Sequence, residues 1–125
     1  MSEQKLILIA EDEPALARAM QLKLERSGFA VEVASDGEVV LEKYVPGKYD
    51  LILLDLMMPK KNGFDVLTAL QKLKNTTPII VSSNLNQAED VSRTKELGAV
   101  DYLVKSEIPI SEIITKIKSR LTPTT

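Results

Sequence analysis

The chain has 125 residues, 44% of them hydrophobic and 27% charged, and a formal net charge of −2. That is the size of one ordinary domain with a single continuous core, and the weakly acidic balance argues against a nucleic-acid partner held by a basic field. With no cysteine and no histidine, disulfides and thiolate metal sites are excluded, and the commonest general base and metal ligand are missing.

The opening residues MSEQK have no signal-peptide character and lead directly into the first apolar run, KLILIA at 5–10. Glu11, Asp12 and Glu13 follow, and Pro14 suits the first turn of a helix through Leu16, Met20 and Leu24, stopped by Gly28. AVEVA at 30–34 is a second strand. Asp36 is placed to cap a helix through Val39, Val40, Leu41 and Tyr44, ended by Pro46 and Gly47. DLILL at 50–54 is a third strand; Asp55 stands in the middle of the apolar stretch that continues with Leu56, Met57 and Met58, and Pro59 stops it.

Asn62 and Gly63 open a helix through Val66, Leu67, Leu70 and Leu73. PIIVSS at 78–83 is a fourth strand. Asn86 is the expected cap of a helix through Val91 and Leu97 to Gly98, and VDYLVK at 100–105 is a fifth strand. Ser111 is the expected cap of a last helix through Ile113, Ile114, Ile117 and Leu121. No stretch approaches the roughly 18 apolar residues of a membrane span, which leaves a soluble cytoplasmic protein as the default.

A strand followed by a helix, repeated along the chain, implies parallel βαβ units with right-handed crossovers. Nearly continuous Val, Ile and Leu in several strands is the pattern of strands buried on both faces. The chain is too short for an eight-fold barrel, so the expected class is α/β: an open, doubly wound sheet of five parallel strands. A single domain over 1–125 is expected, with its core at about 4–121 and residues 122–125 a loose tail or the start of a linker.

In such a sheet ligands bind beyond the carboxyl ends of the strands. The polar residues there are Glu11 and Asp12, Asp55, Ser83 and Lys105. An isolated carboxylate in an apolar run is costly unless paired, hydrogen-bonded or bound to a metal. If the first and third strands are neighbours, Asp12 and Asp55 face one crevice, and an oxygen-rich cluster of this kind suits a hard cation such as Mg²⁺. Each residue also has a plainer reading: the first acids as helix-end charges, Asp55 as a turn cap, Ser83 as a strand-end hydroxyl, Tyr102 as core and Lys105 as a solvated lysine. The plainer readings do not explain why all the polar groups fall at one end of one sheet.

The motifs ILIAEDEP, DLILLDLMMPKKNGFDVL, TPIIVSS and ELGAVDYLVK, with the final amphipathic helix, resemble the response-regulator receiver domain of two-component signalling, of the chemotaxis-regulator type. The resemblance covers residues 4–121 and implies a flavodoxin-like strand order 2-1-3-4-5. It implies that Asp55 accepts a phosphoryl group in a Mg²⁺-dependent reaction, so that the domain catalyses its own phosphorylation and dephosphorylation. Asp12 would bind the metal directly, Glu11 through water, and Met57 through its backbone carbonyl. Lys105 would contact the phosphate, Ser83 would be the family's hydroxyl (Ser82 being the lesser choice), and Tyr102 would occupy the aromatic switch position. The implied donor is a sensor histidine kinase or a histidine phosphotransfer protein. The implied output is a downstream protein, or a second copy of the chain, bound through the 86–121 face, with no nucleic acid bound directly and no membrane.

Two positions depart from the family pattern. Ser106 stands where proline with a cis bond is usual; a cis bond before a non-proline costs about 2.5–4 kcal/mol, so a trans bond and an altered loop are expected. Asn84 stands where a small residue is usual and is expected to narrow access to the site. The competing readings are a small Mg²⁺-dependent phosphatase with an aspartyl nucleophile, a flavodoxin-like FMN carrier and a receiver-like scaffold that is never phosphorylated. The phosphatase signature DxDx[TV] is absent, and the acids of EDEP would repel a flavin phosphate.

Overall fold

The computed structural model describes residues 4–121. Among these residues five parallel strands form one sheet in the order β2-β1-β3-β4-β5. They are β1 (Leu6–Ala10), β2 (Ala30–Ala34), β3 (Leu51–Leu54), β4 (Ile79–Ser83) and β5 (Asp101–Val104). The helices α1 (Pro14–Arg26), α2 (Gly37–Lys43), α3 (Gly63–Lys72), α4 (Ala88–Glu96) and α5 (Ile110–Leu121) alternate with them. This is the doubly wound α/β architecture expected from the alternating pattern, in the expected order.

The apolar runs sort by position in the sheet. β1, β3 and β4 have a neighbouring strand on each side, and their side chains are buried almost throughout. β2 and β5 are edges, and most of their residues are only half-buried. Ile7, Ile9, Leu51, Leu53, Ile80 and Leu103 pack on one face against Met20 and Leu24 of α1 and Ile113 and Ile117 of α5. Leu8, Ile52, Leu54, Ile79 and Val81 point to the other face, against Val40 of α2 and Val66, Leu67 and Leu70 of α3. Fully burying one such side chain contributes about 1.5–3 kcal/mol, so these two layers hold the strand ends where the chemistry must sit. Among the described residues no helix is long and apolar enough to cross a membrane.

Two expected caps are present. Asp36 accepts the Val39 amide at 2.9 Å. Asn62 and Asp65 form a reciprocal capping box at 3.0 Å in both directions, starting α3. Two expected caps are not. The chain stays extended through Gln87, so Asn86 stands one residue too early and α4 begins with no side-chain cap. Ser111 lies inside the first turn of α5, because the Pro109 carbonyl already accepts from Glu112 and Ile113. Tyr44, Leu73 and Leu97, read as helical, each sit just after a last helical turn. α4 is thinly anchored: of its residues only Thr94 is buried. The loose tail expected at 122–125 lies outside the described residues.

Candidate functional site

The register of the central strands brings the acids together. Ala10 pairs with Leu54, and the Asp55 amide donates to the Ala10 carbonyl at 3.0 Å. Glu11 and Asp55, the next residues on each strand, therefore stand side by side. Side chains alternate along a strand, so both project to the α1 and α5 face of the sheet. Glu11 and Asp55 are buried, whereas the next acid, Asp12, is exposed. One carboxylate oxygen from each of Glu11, Asp12 and Asp55 falls within 4.8 Å of the others. Three hard oxygen donors at that spacing fit a small divalent cation.

Lys105 supplies the positive charge in this arrangement. It is the first residue of a 3-10 turn, Lys105–Glu107, that continues β5. Its ammonium lies 2.5 Å from Glu11 and 2.9 Å from Asp55. Burial alone would lower the lysine's pKa, but the hydrogen bonds and charges of Glu11 and Asp55 outweigh it and hold the ammonium above its ordinary range. Glu11 moves up as well: burial raises it most, Lys105 opposes, and the charge of Asp55 adds to the rise. One lysine therefore does not neutralise two buried carboxylates, and the site favours further positive charge.

The turn after Asp55 is held from below. The Met57 amide donates to Asp55 Oδ1 at 3.1 Å, while the Met57 side chain is exposed. The Gly63 amide donates to the Leu56 carbonyl at 2.9 Å. A Cβ at Gly63 would come within 2.7 Å of the Asp55 carbonyl oxygen and the Leu56 Cα, closer than real contacts allow. Only a residue without a side chain lets α3 start directly against the Asp55 turn.

Ser83 and Tyr102 lie on the other face of the sheet, with Val81 and Leu54. Ser83 is fully buried, and its hydroxyl accepts the Leu85 amide at 3.4 Å. The Tyr102 hydroxyl donates to the Leu85 carbonyl. Burial raises the pKa of the phenol, the charge of Asp90 adds to the rise, and a hydrogen bond with Ser83 opposes it. The phenol is thus already turned toward the β4–α4 loop, in contact with the serine.

The structure brings Glu11, Asp12, Asp55 and Lys105 into one cluster at the expected end of the sheet and sets Ser83 and Tyr102 beside it as a linked pair. The Lys105–Ser106 bond is trans; no cis peptide occurs among the described residues. Asn84 is exposed. Three contributions were missed by the sequence reading: Gly63 as the support of the turn, the Leu85 backbone as the shared partner of Ser83 and Tyr102, and Lys105 as the resting counter-ion of Glu11. The first had a signal in the Asn-Gly pair; the other two depend on distant parts of the chain.

The family profile described as response regulator receiver domain matches residues 7–118. The response regulator ArlR of Staphylococcus saprophyticus is 40% identical over 115 residues, covering 92% of this chain and 51% of that protein. The alkaline phosphatase synthesis transcriptional regulatory protein PhoP of Bacillus subtilis is 39% identical over 117 residues, covering 94% of this chain and 48% of that protein. The chain thus spans about half the length of these curated relatives. Among solved structures, the receiver domain of Francisella response regulator 1452 superposes with a TM-score of 0.86 at 32% identity, covering 94% of this chain and 96% of that one.

Proposed function

The chain belongs to the response regulator receiver domain family of two-component signalling, and from that premise we propose that Asp55 is its phosphoacceptor. The observation that carries this reading is the cluster itself: three carboxylates within 4.8 Å of one another, with the Lys105 ammonium 2.9 Å from Asp55.

The cluster fits Mg²⁺, which when bound supplies the positive charge that lets an anionic phosphoryl group approach acids. Asp12, exposed at the mouth of the crevice, is the first carboxylate a cation meets. Asp12, Asp55 and the Met57 carbonyl would hold the ion directly, and Glu11 would do so through water. An Asp55 oxygen attacks phosphorus, the bond to the donor nitrogen breaks, and the imidazole leaves with its electron pair. Lys105 offsets charge on the transferred oxygens, and the Ser83 hydroxyl donates to one of them after leaving the Leu85 amide. Positioning and electrostatics of this kind account for most of phosphoryl-transfer catalysis, and the same groups set the later hydrolysis.

With no histidine in the chain, the donor is a partner: a sensor histidine kinase or a histidine phosphotransfer protein in the cytoplasm. The readout is a protein, or a second copy of the chain, binding across residues 86–121. The relatives named above are a response regulator and a transcriptional regulatory protein about twice as long, so a separate effector region is the natural recipient of the signal.

The test is direct. With acetyl phosphate and Mg²⁺ the intact mass rises by one phosphoryl group; without the metal, or in Asp55→Asn, it does not. ATP alone leaves the mass unchanged. Stoichiometric labelling of Asp55→Asn at another residue would overturn the assignment.

A further inference from the structure

Ser82 has no place in the mechanism above, yet it is the one polar side chain of the site left unsatisfied. It is 2% exposed, and its Oγ has no hydrogen-bond partner among the described residues. Buried hydroxyls are nearly always paired, so this one calls for an explanation.

The register supplies the geometry. Leu54 pairs with Val81, so Ser82 is the next residue opposite Asp55. Ser82 itself pairs with Leu103, two residues before Lys105. Alternation puts Ser82, Asp55 and Lys105 on the same α1 and α5 face, with Ile80, Leu53 and Leu103, while Ser83 points to the other. β4 lies between β3 and β5, and neighbouring strands are about 4.8 Å apart. Lys105 starts from the end of β5 and meets Asp55 at the end of β3 and Glu11 at the end of β1. Its stem must therefore cross the end of β4, where Ser82 is the residue facing it.

The three hydrogens of an ammonium need acceptors, and the Lys105 side chain is only 14% exposed. In the resting state Glu11 and Asp55 provide two of them. With a cation held by Asp55 directly and by Glu11 through water, the ammonium would be repelled and would lose acceptor capacity on both carboxylates. The displaced group then needs a polar atom within reach on a buried path, and Ser82 Oγ is that atom.

We propose that Ser82 is a positioning residue for Lys105: its hydroxyl accepts a hydrogen bond from the ammonium once a cation engages Glu11 and Asp55, and so holds Lys105 above the phosphoryl site. This rests on the phosphoacceptor reading for its role in transfer, but not for the hydrogen bond itself. The hydroxyl serves as an acceptor beneath the lysine stem, a different task from that of Ser83.

Ser82→Thr and Ser82→Val are nearly the same shape and differ in the hydroxyl. Two quantities are compared across wild type and both variants: solvent exchange of the Lys105 ammonium, followed by ¹⁵N NMR with Mg²⁺ alone, and the rate of Asp55 labelling by acetyl phosphate. Wild type and Ser82→Thr should give a slowly exchanging ammonium on adding Mg²⁺, and Ser82→Val should not. Labelling in Ser82→Val should be slower by on the order of tenfold, as expected for one hydrogen bond to a charged group. If the added methyl groups disturb the fold, Ser82→Ala against wild type gives the same comparison. Equal ammonium exchange with and without the hydroxyl overturns the proposal whatever the labelling rate. A wild-type chain that shows the Lys105 response but takes no phosphoryl group refutes the phosphoacceptor reading and leaves the role of Ser82 standing.

Discussion

Ser83 and Tyr102 are tied to opposite ends of one residue: the Ser83 hydroxyl accepts the Leu85 amide at 3.4 Å, and the Tyr102 hydroxyl donates to the Leu85 carbonyl. Turning Ser83 toward a phosphoryl group on Asp55 would loosen its hold on the Asn84–Leu85 peptide, which adjoins the Leu85–Asn86 peptide whose carbonyl anchors Tyr102. Under the proposed function, this link is where a population shift between two states would act.

Beryllofluoride, a phosphoryl mimic, is therefore expected to shift amide resonances from Asp55 through Ser83 and Leu85 to Tyr102 and along α4. In Tyr102→Phe the shifts beyond Leu85 should shrink while those at Asp12 and Asp55 persist. Two-dimensional NMR of both chains checks this; equal shifts along α4 in the two would show that the phenol plays no part.

Removing Lys105 leaves two buried carboxylates without their ammonium. Breaking one side of a buried ion pair costs about 3–5 kcal/mol, and the partial exposure of this site places Lys105→Met near the lower end. Because an added cation replaces the missing charge, millimolar Mg²⁺ should recover part of the loss. Urea unfolding with and without Mg²⁺ measures both effects.

Gly63→Ala drives a methyl group to within 2.7 Å of the Asp55 and Leu56 backbone. Overpacking of this kind typically costs about 1–3 kcal/mol. The α3 start must shift, and the Asp55 turn with it, so labelling by acetyl phosphate should also slow. Gly28→Ala, with open space around its Cβ but a positive φ, should lose stability without that slowing.

Far from the site, the Tyr49 hydroxyl donates to Glu32 at 2.8 Å. That bond, with Lys48 and Lys43 nearby and against some burial, holds Glu32 below its ordinary value of 4.5. A carboxylate whose pKa is depressed by folding contributes stability above its unfolded value and loses it as pH falls through the folded one. Tyr49→Phe should cost about 1 kcal/mol at pH 7, and the difference from wild type should narrow as pH drops below 4.5. Thermal melts at several pH values between neutral and acid test the sign.

Much of this was legible in the residues because local and global signals agree. The apolar runs at β1, β3 and β4 mark strands covered on both faces, and Asp36 and Asn62 carry cap chemistry at the positions where their helices begin. Asn86 and Ser111 carry the same chemistry and are not caps, because where a helix starts also depends on an extended Gln87 and on the Pro109 carbonyl, which residue type does not reveal. The acids at the strand ends were readable as a group; that Glu11 is buried and Asp12 exposed followed only from the twist and register of β1. Ser82 and Ser83 are adjacent identical side chains, and only strand pairing separates the one facing Asp55 from the one facing Tyr102.

The single buried side chain of α4 has a consequence for how such a domain can change over time. Residues of β1, β3 and β4 are locked by neighbours on both faces, so a substitution there risks the whole fold. On α4 almost any exposed position can be exchanged for roughly 0.5 kcal/mol or less. The acid cluster and α4 are thus under unequal constraint: the chemistry is bound to the core, and the outer surface of α4 is free to vary without disturbing it.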